Sequence, residues 1–142
     1  MQRFTERTRV PFTAEQMYRL VAEVEHYSTF LPWCRASRLI ERSDTAQVAE
    51  ITVSKGPLRQ RFTTRNQLQP VERLGIELVE GPFKSLQGEW RFASRDAGCE
   101  VTLALAFEFS SRLLDMTAGP VFKEVNRAMV DAFVRRAKQL YA

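Results

Sequence analysis

The chain has 142 residues, 21 of them basic and 17 acidic, for a formal charge of +4; 44% are hydrophobic and 27% charged. That length suits one hydrophobic core, and the composition is that of a folded globular chain rather than a disordered one. No stretch approaches the ~20 consecutive apolar residues of a membrane-spanning helix, and residues 1–7 lack the apolar run of a secretory signal, so a cytoplasmic protein is expected.

Residues 3–10 set Phe4 and Val10 on one parity and Arg3, Thr5, Arg7 and Arg9 on the other, which predicts an edge strand with a basic outer face. Thr13 followed by Gln16 fits an N-cap and capping box. Behind it Met17, Leu20, Val21 and Val24 recur at helical spacing and stop near His26. The aromatic-rich residues 27–34 follow, where Pro32 prevents one continuous helix.

From residue 36 to 109 the period changes to two. Residues 48–53 predict one strand. Phe62, Thr64, Asn66 and Leu68 give another with a more polar inner face. Leu74, Ile76 and Leu78 mark a third, and Leu86, Gly88, Trp90 and Phe92 a fourth. Alternation is clearest at Cys99, Val101, Leu103, Leu105, Phe107 and Phe109. Turn cues stand between them at Asp44, Lys55-Gly56-Pro57, Pro70, Gly81-Pro82 and Asp96-Ala97-Gly98. Strands so spaced, with no helix between, predict an antiparallel meander with one wet face.

After Ser110-Ser111 the helical period returns. Phe122, Val125, Met129, Phe133 and Leu140 form one stripe, opposed by Glu124, Arg127, Asp131, Arg135 and Lys138. This helix is predicted to start near Arg112, with Gly119-Pro120 interrupting its first turns. The expected fold is α+β in a single domain, residues 1–142. A sheet of that size must cover its apolar face. The C-terminal helix alone is long enough, so the sheet should wrap around it and leave a cleft where the two diverge.

Chemistry-bearing residues are sparse. Cys34 and Cys99 stand far apart with no CxxC pair, and His26 is the lone histidine, too few soft ligands for a metal site. The cysteines read as reduced and packed, His26 as a surface or cap residue, and Ser110-Ser111 as a helix cap. No GxGxxG or P-loop occurs. Glu89 and Glu108 fall on outer parities. Glu50 is open, because Ala49-Ile51-Val53 and Val48-Glu50-Thr52 compete for the inside; an inward Glu50 would hydrogen-bond a polar ligand head. No catalytic set, metal or cofactor is expected.

The apolar inventory is richer. Phe30, Leu31 and Trp33, then Phe83 and Leu86, then Leu113, Leu114, Met116, Val121 and Phe122 fall largely on predicted loops and element ends, which the predicted topology would let meet at one end of the cleft. Met116 and Met129 would give it adaptable lining. These residues alone fit a dry core as well as a lined pocket. Arg59, Arg61 and Arg65 with Lys55, and Arg135 with Arg136 and Lys138, form basic faces suited to RNA or anionic lipid headgroups, or simply to water. A DNA partner is not expected.

Several motifs occur in order: Tyr27-x-x-Phe30-Leu31-Pro32-Trp33-Cys34; Val79-Glu80-Gly81-Pro82-Phe83-Lys84 with Gly88-x-Trp90-x-Phe92; Phe107-x-Phe109; Gly119-Pro120-Val121-Phe122; and Met129-Val130-x-Ala132-Phe133-x-x-Arg136-Ala137. Together they resemble the START-like (SRPBCC, helix-grip) superfamily, and within it the coenzyme Q-binding protein family that also contains the bacterial ribosome association toxin. The resemblance implies a seven-stranded antiparallel sheet gripping a long C-terminal helix around an apolar cavity, with two short helices after the first strand.

It further implies non-enzymatic binding of ubiquinone or a polyprenyl quinone precursor in support of respiration, the lipid being a ligand rather than a cofactor. The alternatives it brings are a toxin that binds the large ribosomal subunit and blocks subunit association, and a polyketide cyclase or aromatase with Glu50 and His26 as acid–base candidates. The cavity and its mouth map onto Phe30, Leu31, Pro32, Trp33, Phe83, Trp90, Phe107, Met116 and Phe122, to which Met129 is added from the helix stripe. A ribosomal contact would use Arg59, Arg61, Arg65 and Arg135. The implied location is cytoplasmic, peripheral at the inner membrane.

Overall fold

A computed structural model describes residues 1–56 and 58–141. Strand β1 (Gln2–Val10) leads into α1 (Ala14–Ala22), a 3₁₀ turn (Val24–His26) and α2 (Tyr27–Phe30). Six strands follow: β2 (Cys34–Arg42), β3 (Ala46–Lys55), β4 (Leu58–Gln69), β5 (Arg73–Glu80), β6 (Phe83–Arg95) and β7 (Gly98–Phe109). Helices α3 (Arg112–Thr117) and α4 (Gly119–Tyr141) close the chain.

All seven strands join one antiparallel sheet in the order β1-β7-β6-β5-β4-β3-β2. The long return from β1 to β7 makes β1 the edge strand its charge pattern predicts. This is the START-like, helix-grip architecture, with the sheet curved around α4. The Pro57 of the predicted Lys55-Gly56-Pro57 turn lies outside the described residues.

Local chemistry accounts for most boundaries. Thr13 Oγ1 accepts from the Gln16 amide at 3.1 Å while the Thr13 amide donates to Gln16 Oε1 at 3.0 Å, a complete capping box. Ser111 Oγ caps α3 by accepting from the Leu114 amide at 3.0 Å. Ala118 alone separates α3 from α4, and Gly119-Pro120 opens α4, so the predicted interruption is a full break. Gly88 faces Leu105 across the β6–β7 ladder, and a Cβ there would meet the Ala104 carbonyl oxygen at 2.2 Å. Hydrogen in place of a side chain lets those strands close together as the sheet bends.

Strand β7 alternates buried and half-buried from Cys99 to Phe109 without a break. Its Phe107 and Phe109 meet Phe122 of α4 edge-on at 4.8 and 5.8 Å between ring centroids. Phe133 meets Trp90 at 5.2 Å, Tyr27 at 5.2 Å and Phe30 at 5.3 Å. The helix thus reaches the sheet through two aromatic clusters, about eleven residues apart along α4.

The buried face of α4 differs from the predicted stripe at its end. Phe122, Val125, Asn126, Val130, Phe133 and Ala137 are buried, Met129 is half-buried and Leu140 is 50% exposed. In the last turn it is Tyr141 that reaches back, its ring meeting that of Phe12 at a tilt with 6.1 Å between centroids. A helix advances about 100° per residue, so only one of two neighbours can face the sheet there.

Candidate functional site

The two aromatic clusters pin α4 to the sheet, and between them the helix and strands β3 to β7 stand apart. The hollow they leave has a volume of about 90 Å³. Ala49, Ile51 and Val53 of β3, Phe62, Thr64 and Asn66 of β4, and Leu74 and Ile76 of β5 line its sheet wall. Phe122, Val125, Asn126 and Met129 of α4 line the facing wall, and Tyr27, Leu31, Trp33 and Cys34 close one end. Among the described residues no charged side chain lines it.

Three buried polar residues of the sheet are tied in a chain. Thr64 Oγ1 donates to Asn66 Oδ1 at 3.0 Å, Asn66 Nδ2 donates to Gln47 Oε1 at 2.9 Å, and Gln47 Nε2 donates to the Ala22 carbonyl at 3.0 Å. The chain anchors the hollow's sheet wall to the end of α1. On the helix wall Asn126 Nδ2 donates to the Phe122 carbonyl at 3.0 Å.

The hollow has two ionisable neighbours, and both stay neutral. Burial pushes the Cys34 thiol up to about 11, against weaker opposing hydrogen bonds from Ser37 and Ala36. Burial, with Cys34 and Glu25 nearby, pushes the Tyr27 phenol up as well, and its hydroxyl donates to the Val21 carbonyl. A thiol in that state is a packing group rather than a nucleophile. Cys34 and Cys99 are both free and buried.

The residues proposed for a cavity divide by position. Leu31, Trp33, Trp90, Phe122 and Met129 line the hollow. Phe83 and Phe107 are buried beside it, in the aromatic cluster around Phe122. Phe30 and Pro32 lie outside, in a surface depression shared with Ala128, Arg135 and Arg136. Arg136 sits over the Phe30 ring at 5.4 Å. Trp33 borders both spaces and separates them. Met116 stands on α3, 72% exposed and away from the hollow.

The open question at Glu50 is resolved by parity. Gln47, Ala49 and Val53 are buried on β3, so Glu50 faces outward, where it pairs with Arg38 at 3.5 Å. His26 is exposed on the 3₁₀ turn. Its ring and the carboxylates of Glu23 and Glu25 place ligand-type atoms within 4.8 Å of one another at the surface, apart from the hollow. Arg59, Arg61 and Arg65 are exposed along the outer row of β4, and none lies within 4.0 Å of a carboxylate among the described residues. Arg135 is exposed on the far side, on α4.

Three polar residues that line the hollow, Thr64, Asn66 and Asn126, are not among the site residues that the sequence singles out. Thr64 and Asn66 were visible as a polar inner strand face. Asn126 gave a clearer signal, a polar residue set among Phe122, Val125 and Met129 on the helix's apolar side.

The family described as polyketide cyclase / dehydrase and lipid transport matches residues 10–134. The ribosome association toxin RatA of Vibrio cholerae is 47% identical over 133 residues, covering 93% of this chain and 92% of that protein. A mitochondrial protein of Xenopus laevis, coenzyme Q-binding protein COQ10 homolog B, is 32% identical over 135 residues, covering 92% of this chain and 55% of that protein. Among solved structures, the Zhui aromatase/cyclase of Streptomyces sp. R1128 superposes with a TM-score of 0.88 at 18% identity, covering 97% of this chain and 94% of that one. A START superfamily protein of Mycobacterium smegmatis gives 0.79 at 17% identity, covering 97% and 98%. At those identities the two structures speak for the fold alone.

Proposed function

We propose, from the premise that the chain belongs to the polyketide cyclase / dehydrase and lipid transport family, that it is a non-catalytic carrier of a hydrophobic small molecule: a prenylated quinone such as ubiquinone, or a polyprenyl precursor. The observation that carries this reading is the hollow itself, lined mostly by apolar side chains, free of charge among the described residues, and bordered by Trp33 on the side of an outer depression. Apolar transfer is worth about 0.8 kcal/mol per methylene, so a prenyl chain needs little polar recognition. The 32% identity to a protein named as coenzyme Q-binding supports the quinone assignment.

Catalysis of the cyclase kind asks for an acid or base in the cleft. Glu50 and His26 lie away from the hollow, and Tyr27 and Cys34 hold their protons at neutral pH. The absence of turnover therefore belongs to the reading.

As it stands the hollow is smaller than the roughly 150 Å³ of an apolar cavity known to admit benzene, so loading requires its walls to part. Trp33, flanked on its outer side by Phe30 and Pro32, is the wall residue that the hollow shares with the surface depression. No described helix is long and apolar enough to cross a membrane. Contact with one falls instead to α3, where Leu113 and Met116 are exposed. The proposed workplace is the cytoplasm, at the inner membrane's surface.

Mass spectrometry of the organic extract of protein purified from a quinone-producing host tests the reading. Quinone should be recovered in proportion to protein and lost in Met129→Glu, which sets a charge on the half-buried helix wall. An extract without quinone or prenyl lipid overturns it.

A second reading, association with the large ribosomal subunit, is favoured by the row Arg59, Arg61 and Arg65, unpaired among the described residues, together with relatives named as ribosome association toxins. Binding through phosphates weakens steeply with salt. Reversal of all three arginines to Glu should remove cosedimentation with large subunits; cosedimentation unaltered by the reversal, or by salt, dismisses this face.

A further inference from the structure

We propose that Asn126 and Thr64 are the polar anchors of the hollow, and that they select an uncharged ligand head bearing carbonyl or hydroxyl oxygen over a plain hydrocarbon or an ionised lipid. This rests on the carrier reading above and adds the chemistry of the head.

Asn126 is out of place by every local criterion. It sits in the middle of α4, where asparagine is a weak helix former. It is 2% exposed, on the face that Phe122, Val125 and Val130 bury. One N–H of its amide is used on the Phe122 carbonyl. Its second N–H and its Oδ1 have no partner among the described residues, and the residue lines the hollow. A buried amide left half-served costs free energy that a leucine of similar size would not. A ligand supplying both an acceptor and a donor would repair it.

Thr64 complements it from the sheet wall. Its hydroxyl proton is committed to Asn66 Oδ1, and Asn66 is fixed in turn by Gln47 and the Ala22 carbonyl. The hydroxyl oxygen is therefore presented to the hollow as an acceptor, with its proton turned away. One wall thus accepts, while the other both donates and accepts. That combination serves a ring oxygen as carbonyl (through the Asn126 N–H) and as hydroxyl (through Thr64 Oγ1 or Asn126 Oδ1).

The same geometry argues against ionised heads. A carboxylate or phosphate carried into a space with no cationic lining would be buried unpaired, which is far costlier than burying a neutral oxygen. The fitting class is an apolar chain ending in a neutral quinone, quinol or phenol ring.

Equilibrium dialysis of the full chain against three probes tests this: decylubiquinone, dodecylbenzene and dodecanoate. The wild type should bind decylubiquinone about tenfold more tightly than dodecylbenzene, with dodecanoate weakest. Asn126→Leu and Thr64→Val should each lower decylubiquinone affinity about fivefold and leave dodecylbenzene unchanged or tighter. Thr64→Ser, which keeps the hydroxyl, should bind as the wild type does. The wild-type ranking needs no variant, so it decides even where a substitution impairs folding. Equal affinity for all three probes, or equal losses for quinone and hydrocarbon in the variants, overturns the anchors while leaving a carrier. Binding of none of the probes overturns the carrier reading and the anchors with it.

Discussion

Gln47 is 1% exposed and takes part in two hydrogen bonds at once, one to the Ala22 carbonyl and one from Asn66. Replacing it with leucine keeps the volume but strands an Asn66 N–H and a main-chain carbonyl in an apolar interior. Each stranded group costs about 1–3 kcal/mol. Gln47→Leu is therefore expected to lower the unfolding free energy by about 2 kcal/mol or more, read as a lower urea midpoint at unchanged slope; a neutral result would show that the chain is not a structural tie. Cys34 supplies the pH dependence. Folding holds its pKa at about 11 against an ordinary 9.0, so the protonated thiol is the native form. Its contribution is complete below pH 9 and is lost as pH rises toward 11, because only the unfolded chain gains by releasing the proton. Tyr27, shifted upward too, acts in the same sense at higher pH. The urea midpoint should stay level up to about pH 8.5 and fall above 9, with a shallower fall in Cys34→Ala; an equally steep fall in the variant would assign the titration elsewhere. Gln47 also marks the edge of what the sequence conveyed. The alternation Ala49-Ile51-Val53 was readable, but a polar residue at the next position of the same parity looks like the strand's end until its partners are seen.

At the level of elements, legibility followed periodicity. Strand β7 buries every residue its alternation names, and β4 and β6 bury all but the half-buried Phe62 and Gly88, because one side of the sheet is dry along its length. Helix α1 begins where the Thr13–Gln16 box requires. The end of α4 was not legible, since the choice between Leu140 and Tyr141 depends on Phe12, which is remote in sequence. The hollow's contents were not legible either: which large side chains line a space and which pack solidly depends on how far α4 lies from the sheet at each turn. Phe107 and Phe122 are neighbours at 4.8 Å, yet one is packed core and the other wall. At the β6–β7 connection the sequence announces the turn but not the local conflict within it. Asp96-Ala97-Gly98 reads as a turn, but the left-handed position is taken by Ala97, at φ +62°. An L-residue with a Cβ pays about 1–2 kcal/mol there relative to glycine's freedom. Ala97 is exposed, so no packing is lost on truncation. Ala97→Gly is expected to raise the unfolding free energy by about 0.5–1 kcal/mol after the entropy of the unfolded glycine is counted, measurable as a rise in Tm; a fall would mean that the turn relaxes in solution.

The whole molecule sets stability against capacity. A fold that only had to be stable would fill the space between α4 and the sheet, since interiors pack as densely as organic crystals. Here the space is kept by a small residue, Ala49, 1% exposed on β3, and by a wall asparagine that hydrocarbon would replace at no cost. Both choices leave the empty protein less stable than its sequence length allows, which is the pattern expected where a site competes with the core. The competition can be measured. Ala49→Val adds two methyl groups facing a hollow of about 90 Å³, and their burial is worth about 1 kcal/mol or slightly more. The variant should unfold at higher urea concentration than the wild type when both are stripped of lipid. It should also load less decylubiquinone, because the space that stabilises it is space the ring needs. If stability rises while loading is untouched, the ligand binds elsewhere. If stability falls by more than about 1 kcal/mol, the wall is already packed against itself, and the interior is a core rather than a receptacle.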